Sequence, residues 1–225
     1  MINEEKLKDL FLDRNDKVIT LEQLQDKFNE MKNLFMVYEC AIKEVTTKLE
    51  ILDSEFKVNS KRNPIEYMKS RVKSPESIIN KLIKKGEIIN STSIKENLND
   101  IAGIRVVCSF IDDIYHIADM LKNQNDIKLI KEKDYIKNPK ENGYRSLHLV
   151  VEIPVFFSRH TEHVRVEVQI RTIAMDFWAS LEHKLYYKSI GSAENDISHE
   201  LKECADIISS TDARMQEIQK RVEQL

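Results

Sequence analysis

Between Val164 and Arg171 the chain alternates without a break. Val164, Val166, Val168 and Ile170 fall on one side of an extended backbone, and Arg165, Glu167, Gln169 and Arg171 fall on the other. A helix would scatter the four apolar side chains around its axis, whereas a strand lines them up on one face. That face demands a core. The opposite face carries a carboxylate, an amide and two guanidiniums in a row. This segment alone leaves two readings open: a solvated outer face, or the floor of a polar active site.

The rest of the chain supplies partners for such a strand. Leu21, Leu24, Phe28, Met31, Phe35, Tyr38, Ile42, Val45, Leu49, Leu52 and Phe56 step by three or four residues, which predicts one long amphipathic helix or two in line. A short helix is expected near 64–70 and another from about 75 to 85, with Pro64 and Pro75 suited to their first turns and Gly86 as the stop. A turn and short helix follow over 91–99. The β-branched run Ile104 to Phe110 reads as a buried strand, Asp112 to Asn123 as a helix, and 127–133 and 146–153 as further strands. Thr172 to Lys188 reads as a helix. In the last segment Leu201, Cys204, Ile208, Thr211, Met215, Ile218, Val222 and Leu225 form a heptad-like seam, either packed on the long N-terminal helix or placed at a subunit interface. Strands mixed with helices indicate an α+β or α/β layer fold. Residues 1–20 are polar and are expected to be a flexible arm.

Charge separates the regions. The whole chain carries 35 Lys+Arg against 38 Asp+Glu, a net charge of −3, which argues against coating nucleic acid by bulk charge. Residues 57–85 nevertheless hold nine cations and two acids, a local +7. The three cysteines are odd in number and far apart, so they imply neither a disulfide framework nor a metal knuckle. There is no membrane-length apolar run and no secretory leader, so a cytosolic location is expected.

Four places can carry chemistry. Asp100 sits just before a core strand. With Glu167 it would form the pair of carboxylates by which Mg²⁺ is commonly held beside substrate phosphates, provided the two strands are neighbours; alone it reads as a cap or turn residue. Ser77, Lys81 and Lys84 share one face of the helix beginning near Pro75, with Arg71 and Lys73 just upstream. They form either a polyphosphate cradle or a solvated charged face. The loop Lys137 to Ser146 contains Lys140, Gly143 and Tyr144 and is either a stacking platform for a nucleobase or an ordinary hairpin tip. The six histidines show neither zinc spacing nor a nucleophile elbow, and there is no Walker A or Gly-rich dinucleotide pattern.

Taken in order, Arg71-x-Lys73-x-x-x-Ser77, Asp100-Ile-Ala-Gly-Ile-Arg105, Asn142-Gly-Tyr144-Arg-Ser146, Val166-Glu167-Val-Gln169-Ile-Arg-Thr172, Ala174-Met-Asp-Phe-Trp-Ala179 and Glu182-His183 resemble the synthetase domain shared by RelA/SpoT proteins. The length and the flanking helices resemble a small alarmone synthetase, with Asn63-Pro-Ile-Glu and Lys73-Ser-Pro-Glu-Ser leaning toward the RelP type over the RelQ type.

The resemblance implies a nucleotidyltransferase-like mixed sheet over 61–190, a helical extension over 21–60 before it, and a helix over 191–225 for oligomerisation or packing. It implies transfer of pyrophosphate from ATP to the 3′-hydroxyl of GDP or GTP. Arg71 and Arg105 would sandwich adenine, and Lys73, Ser77, Lys81 and Lys84 would hold the ATP phosphates. Asp100 and Glu167 would hold Mg²⁺, and Glu167 would also take the hydroxyl proton. Tyr144 would stack on guanine, Gln169 would position the acceptor, and Lys140 would lie near its phosphates. Homotetramers are implied as well.

Two positions depart from the family's pattern. Lys84 puts a point charge where Arg is frequent. Asp176 stands where the RelQ type has Asn, and would either read guanine or simply favour the first turn of its helix. No His is followed by Asp, so synthesis without hydrolysis is expected. The rival expectations are the same fold acting on the 3′ end of tRNA, and a non-catalytic RNA-binding oligomer that uses the basic patch.

Overall fold

The computed structural model describes residues 21–186 and 194–225; the arm expected over 1–20 lies outside the described residues. The elements are α1 (Leu21–Asn59), β1 (Ile65–Val72), α2 (Pro75–Lys85), α3 (Ser91–Asn97), β2 (Ala102–Cys108), α4 (Ile111–Lys122), β3 (Lys128–Asp134), β4 (Leu147–Phe156), β5 (Thr161–Thr172), α5 (Ile173–Tyr186) and α6 (Glu194–Val222). The five strands form one mixed sheet in the order β1-β2-β5-β4-β3. β2 and β5 run parallel, and the remaining neighbours are antiparallel. This is the α+β layer architecture that the alternation and periodicity predict.

One face of the sheet is sealed. Val164, Val166, Val168 and Ile170 of β5 join Leu147, Leu149, Val151 and Ile153 of β4 and Ile104 and Val106 of β2 in a single core. The stripe of α1 from Met31 through Phe35, Tyr38, Ile42, Val45, Leu49 and Leu52 to Phe56 covers them, together with Ile114, Ile117 and Leu121 of α4. At roughly 1.5–3 kcal/mol for each large side chain buried, this layer is the main reason the chain folds. The other face of β5 is left to its polar residues.

The local signals explain most boundaries. Ser74 caps α2 by accepting from the Ser77 N–H, Pro75 occupies its first position, and Gly86 ends it at φ 73°. Arg62 holds the buried Asp113, at the start of α4, by two hydrogen bonds of 2.7 Å while lying over the Phe110 ring. Removing Arg62 would leave the buried Asp113 carboxylate without its cationic partner.

Two expectations are corrected. Residues 65–72 are not a helix but the edge strand β1, paired antiparallel with β2 from Ile65–Cys108 to Val72–Ala102. Pro64 fits the start of an edge strand as well as a helix start, and pairing with β2 decides between them. The C-terminal seam does not pack chiefly on α1. Helix α6 lies against α5 and the start of α4. Its buried face is Ala205, Asp212, Gln216 and Gln219, while Met215, Ile218 and Val222 of the seam face solvent.

Asp212 is the costly member of that buried face. It accepts a 2.6 Å hydrogen bond from Thr172, whose hydroxyl also caps α5 by accepting from Met175 N–H. Burial raises its carboxyl above the ordinary range, and the Thr172 bond offsets this only in part. A raised carboxyl favours the fold while protonated and loses that contribution as pH rises through its folded-state value. Asp212→Asn keeps an acceptor for Thr172 without the charge. It is expected to raise the melting temperature at neutral pH by about 2–4 °C, an advantage that shrinks toward pH ~4. Thermal melts at both pH values check this, and an equal or lower melting point at neutral pH contradicts it.

Candidate active site

The strand registers lay the open face out as rows of side chains. Across one row Arg71 of β1, Gly103 of β2, Glu167 of β5, Val150 of β4 and Lys131 of β3 are consecutive partners. Across the next run Lys69, Arg105, Gln169, His148 and Lys133. Cations therefore stand at both edges of the sheet, with Glu167 and Gln169 at its centre. Gly103 puts no side chain between Arg71 and Glu167, so the sheet is bare at that point. A cleft of about 350 Å³ opens there, lined by Lys69, Arg71, Lys73, Asp100, Gly103, Arg105, Glu167 and Gln169 among others. A larger hollow of about 580 Å³ between Phe110, α5 and α6 is mostly apolar and contains none of these groups.

On the β1 side Asp100 is the hub. Lys73, just after β1, reaches its Oδ2 at 2.7 Å, and Lys81 of α2 reaches the same oxygen at 2.6 Å. Burial pushes the Asp100 carboxyl up, but the two ammonium groups outweigh it and hold the carboxyl below its usual range. Oδ1 is buried and has no hydrogen-bond partner among the described residues.

On the β4 side five side chains close a hydrogen-bonded ring. Gln169 Nε2 donates to Glu167 Oε2 at 2.8 Å, and Arg171 donates to Gln169 Oε1 at 2.8 Å. Arg171 also donates to the Tyr144 hydroxyl at 2.6 Å. That hydroxyl lies 2.7 Å from His148 Nε2, and His148 Nδ1 donates to Glu167 Oε1 at 3.3 Å. In a neutral imidazole a proton on Nδ1 leaves Nε2 to accept from Tyr144. Burial pushes the Glu167 carboxyl up, yet the bonds from His148 and Gln169 bring it below its usual range. It is thus an ionised, oriented carboxylate in a half-enclosed site. Burial raises the Tyr144 phenol against the pull of Arg171. Lys140 lies 4.7 Å over the Tyr144 ring and 4.9 Å over Tyr135, whose ring meets Tyr144 and His148 edge to face.

Of the residues singled out in the sequence, Arg71, Lys73, Asp100, Arg105, Glu167 and Gln169 share the cleft. Lys81 joins them through Asp100, and Tyr144 with Lys140 joins through the ring. Ser77 and Lys84 lie on α2 outside the cleft lining; Ser77 shares a 2.8 Å hydrogen bond with Ser74, and Lys84 is exposed. Asp176 sits in the first turn of α5 with its side chain only 7% exposed. One of its oxygens takes Arg105 at 3.0 Å and Arg171 at 3.1 Å, and the other accepts from Tyr67 at 2.6 Å. In this arrangement it anchors two arginines and is not among the residues that line the cleft.

His148 and the structural part played by Arg171 escape the sequence reading. The signal was available for His148: in Leu147-His-Leu-Val-Val151 it alternates with buried leucines, which puts it on the polar face of the sheet.

The residues present fit a magnesium ion. Two carboxylates line one cleft, one of them with an unclaimed oxygen. No group of three or more His, Cys, Asp or Glu that could hold a metal is found among the described residues. Mg²⁺ characteristically takes one or two carboxylates and completes its shell with water and phosphate.

Residues 70–192 match the model of a region found in RelA/SpoT proteins. The chain is 48% identical over 206 residues to GTP pyrophosphokinase YwaC of Bacillus subtilis, covering 92% of this chain and 98% of that one. Among solved structures, small alarmone synthetase 2 of Bacillus subtilis superposes with a TM-score of 0.77 at 49% identity, covering 85% of this chain and 99% of its own. Small alarmone synthetase 1 of the same organism, bound to its product pppGpp, superposes with a TM-score of 0.79 at 35% identity, covering 87% and 99%. With the fold, the ordered motifs and these relatives in agreement, the chain belongs to the RelA/SpoT synthetase family, among its small alarmone synthetases.

Proposed function

We infer that the cleft over Gly103 is where this chain acts as a GTP pyrophosphokinase. The enzyme transfers the β,γ-pyrophosphate of ATP to the 3′-hydroxyl of GDP or GTP and yields ppGpp or pppGpp with AMP. The observation that carries the reading is the convergence of Asp100 and Glu167 on one cleft, with cations on the β1 side and the Tyr144 ring on the β4 side.

In the proposed arrangement ATP lies on the β1 side. Arg71 and Arg105 hold adenine between guanidinium planes, and Lys73 and Lys81 turn from Asp100 toward the phosphates, with Ser77 and Lys84 further along α2. The acceptor guanine stacks on Tyr144, its phosphates lie near Lys140, and Gln169 orients the ribose. Asp100 and Glu167 would hold magnesium, which neutralises phosphate charge when bound. The 3′-oxygen attacks the β-phosphorus as Glu167 takes its proton. The bond from that phosphorus to the oxygen it shares with the α-phosphate breaks, and AMP leaves. Such a transfer needs alignment and charge compensation more than covalent help; Glu167 and Gln169 on β5 would supply the first, and the lysines that flank Asp100 the second. We further propose a cytoplasmic homotetramer, with Met215, Ile218 and Val222 of α6 available for subunit contacts; no described helix is long and apolar enough to cross a membrane.

Glu167→Gln retains the shape and loses the base. It is expected to lower AMP release at least about 10³-fold while nucleotide binding persists. Label from γ-labelled ATP should enter guanine nucleotide and not added tRNA; turnover within a few-fold of the parent enzyme contradicts the role given to Glu167. His148→Phe removes a donor that lowers the Glu167 carboxyl. The acid limb of kcat/KM should therefore move to higher pH, so that activity falls more at pH ~5.5 than at pH ~8. A pH-independent loss would show that His148 does not act through Glu167.

A further inference from the structure

Arg145 is a strongly bonded residue of the Asn142–Ser146 loop that the cleft does not use. It follows Tyr144 and points the opposite way, with its side chain only 16% exposed. One guanidinium nitrogen donates to Gly143 O at 3.0 Å within its own loop and to Ala205 O of α6 at 3.3 Å. The other donates to Asp206 of α6 at 3.0 Å. The loop also rests directly on this helix. Gly143 has φ 86°, and a Cβ placed there would stand 2.6 Å from the Ala205 Cβ. Asn142 completes the grip: its amide donates to Glu182 of α5 at 3.0 Å, and its oxygen accepts from Tyr144 N–H. Helix α6 is itself pinned elsewhere: Trp178 donates to Leu201 O at 2.8 Å, and Gln216 accepts from Asp112 N–H at 2.9 Å.

We propose that Arg145 is a positioning residue for the acceptor nucleotide: through Ala205 and Asp206 it clamps the Tyr144 loop to α6, and the clamp sets affinity for guanine nucleotide without touching the donor side. The proposal rests on the reading of Tyr144 as the guanine platform. The mechanical argument is short. A loop of five residues held only by its two ends samples many conformations, and the aromatic ring at its centre stacks productively in few of them. The guanidinium ties the loop's carbonyl and the helix's carbonyl and carboxylate to one rigid plane, so this disorder is removed before substrate arrives. Lys73, Lys81 and Asp100 have no part in these contacts.

Steady-state kinetics of the full-length enzyme, with GTP and ATP varied separately, tests this. Arg145→Ala is expected to raise KM for GTP about tenfold and leave KM for ATP within about twofold, with Arg145→Lys recovering part of the loss. Ala205→Leu pushes on Gly143 from the helix side and should raise KM for GTP in the same selective way. Should Arg145→Ala fold poorly, Asp206→Ala decides, because Asp206 is 58% exposed and its loss removes only the carboxylate partner; a smaller GTP-selective rise supports the clamp. Equal rises for both substrates, or no rise in any clamp variant while Tyr144→Ala raises KM for GTP, overturn the clamp alone. Unchanged KM for GTP in Tyr144→Ala removes the stacking role of Tyr144 and, with it, the clamp's route to the acceptor, even where Arg145→Ala raises that KM. No rise in either removes both.

Discussion

The parallel pairing of β2 with β5 governs everything on the open face. It sets Gly103 opposite Glu167 and Arg105 opposite Gln169, and it brings the turn carrying Asp100 beside Glu167. A slip of one residue would turn Glu167 and Gln169 into the apolar core and Val166 and Val168 into solvent. Nothing local prevents such a slip. What prevents it is the sealed face, where four β-branched residues of β5 meet α1 and α4. Core packing therefore holds the chemistry in place: the hydrophobic layer that stabilises the fold also fixes where each polar group stands.

The polar face is organised by mutual satisfaction of charges. Asp100 is ionised because Lys73 and Lys81 stand against it, and Glu167 because His148 and Gln169 donate to it. Asp176 pairs with both Arg105 and Arg171 through one oxygen. Burying such groups without partners would cost several kcal/mol each. Around Glu167 the bonds from His148 and Gln169 also fix the orientation of the carboxylate.

Much of this was legible in the sequence, and the reasons it was or was not are specific. The β5 alternation and the α1 stripe are periodic over many residues, so fold class and the sealed face follow from spacing. The ends of α2 are marked by single residues, Pro75 in its first turn and Gly86 just past its last. Strand β1 was not legible, because its eight residues have a weak pattern and become a strand only by pairing with β2. The α6 seam reads as apolar, yet the buried face consists of Ala205, Asp212 and two glutamines, since the contacts there are close approach and hydrogen bonding. His148 looks idle as a histidine and becomes informative only as a position on a strand. Asp176 is distant in sequence from Arg105 and Tyr67, and only folding reveals that it is spoken for.

The bare spot at Gly103 has a consequence of its own. Two strand spacings, about 10 Å, separate the backbones of β1 and β5 there. A methyl group at Gly103 would meet nothing closer than Arg71 O at 3.8 Å, so the protein itself has room for alanine. The vacancy is therefore shaped for something other than the fold's own packing. On the proposed reading, a glycine that the scaffold does not require, set midway between a guanidinium and a carboxylate, leaves a berth whose dimensions belong to the guest.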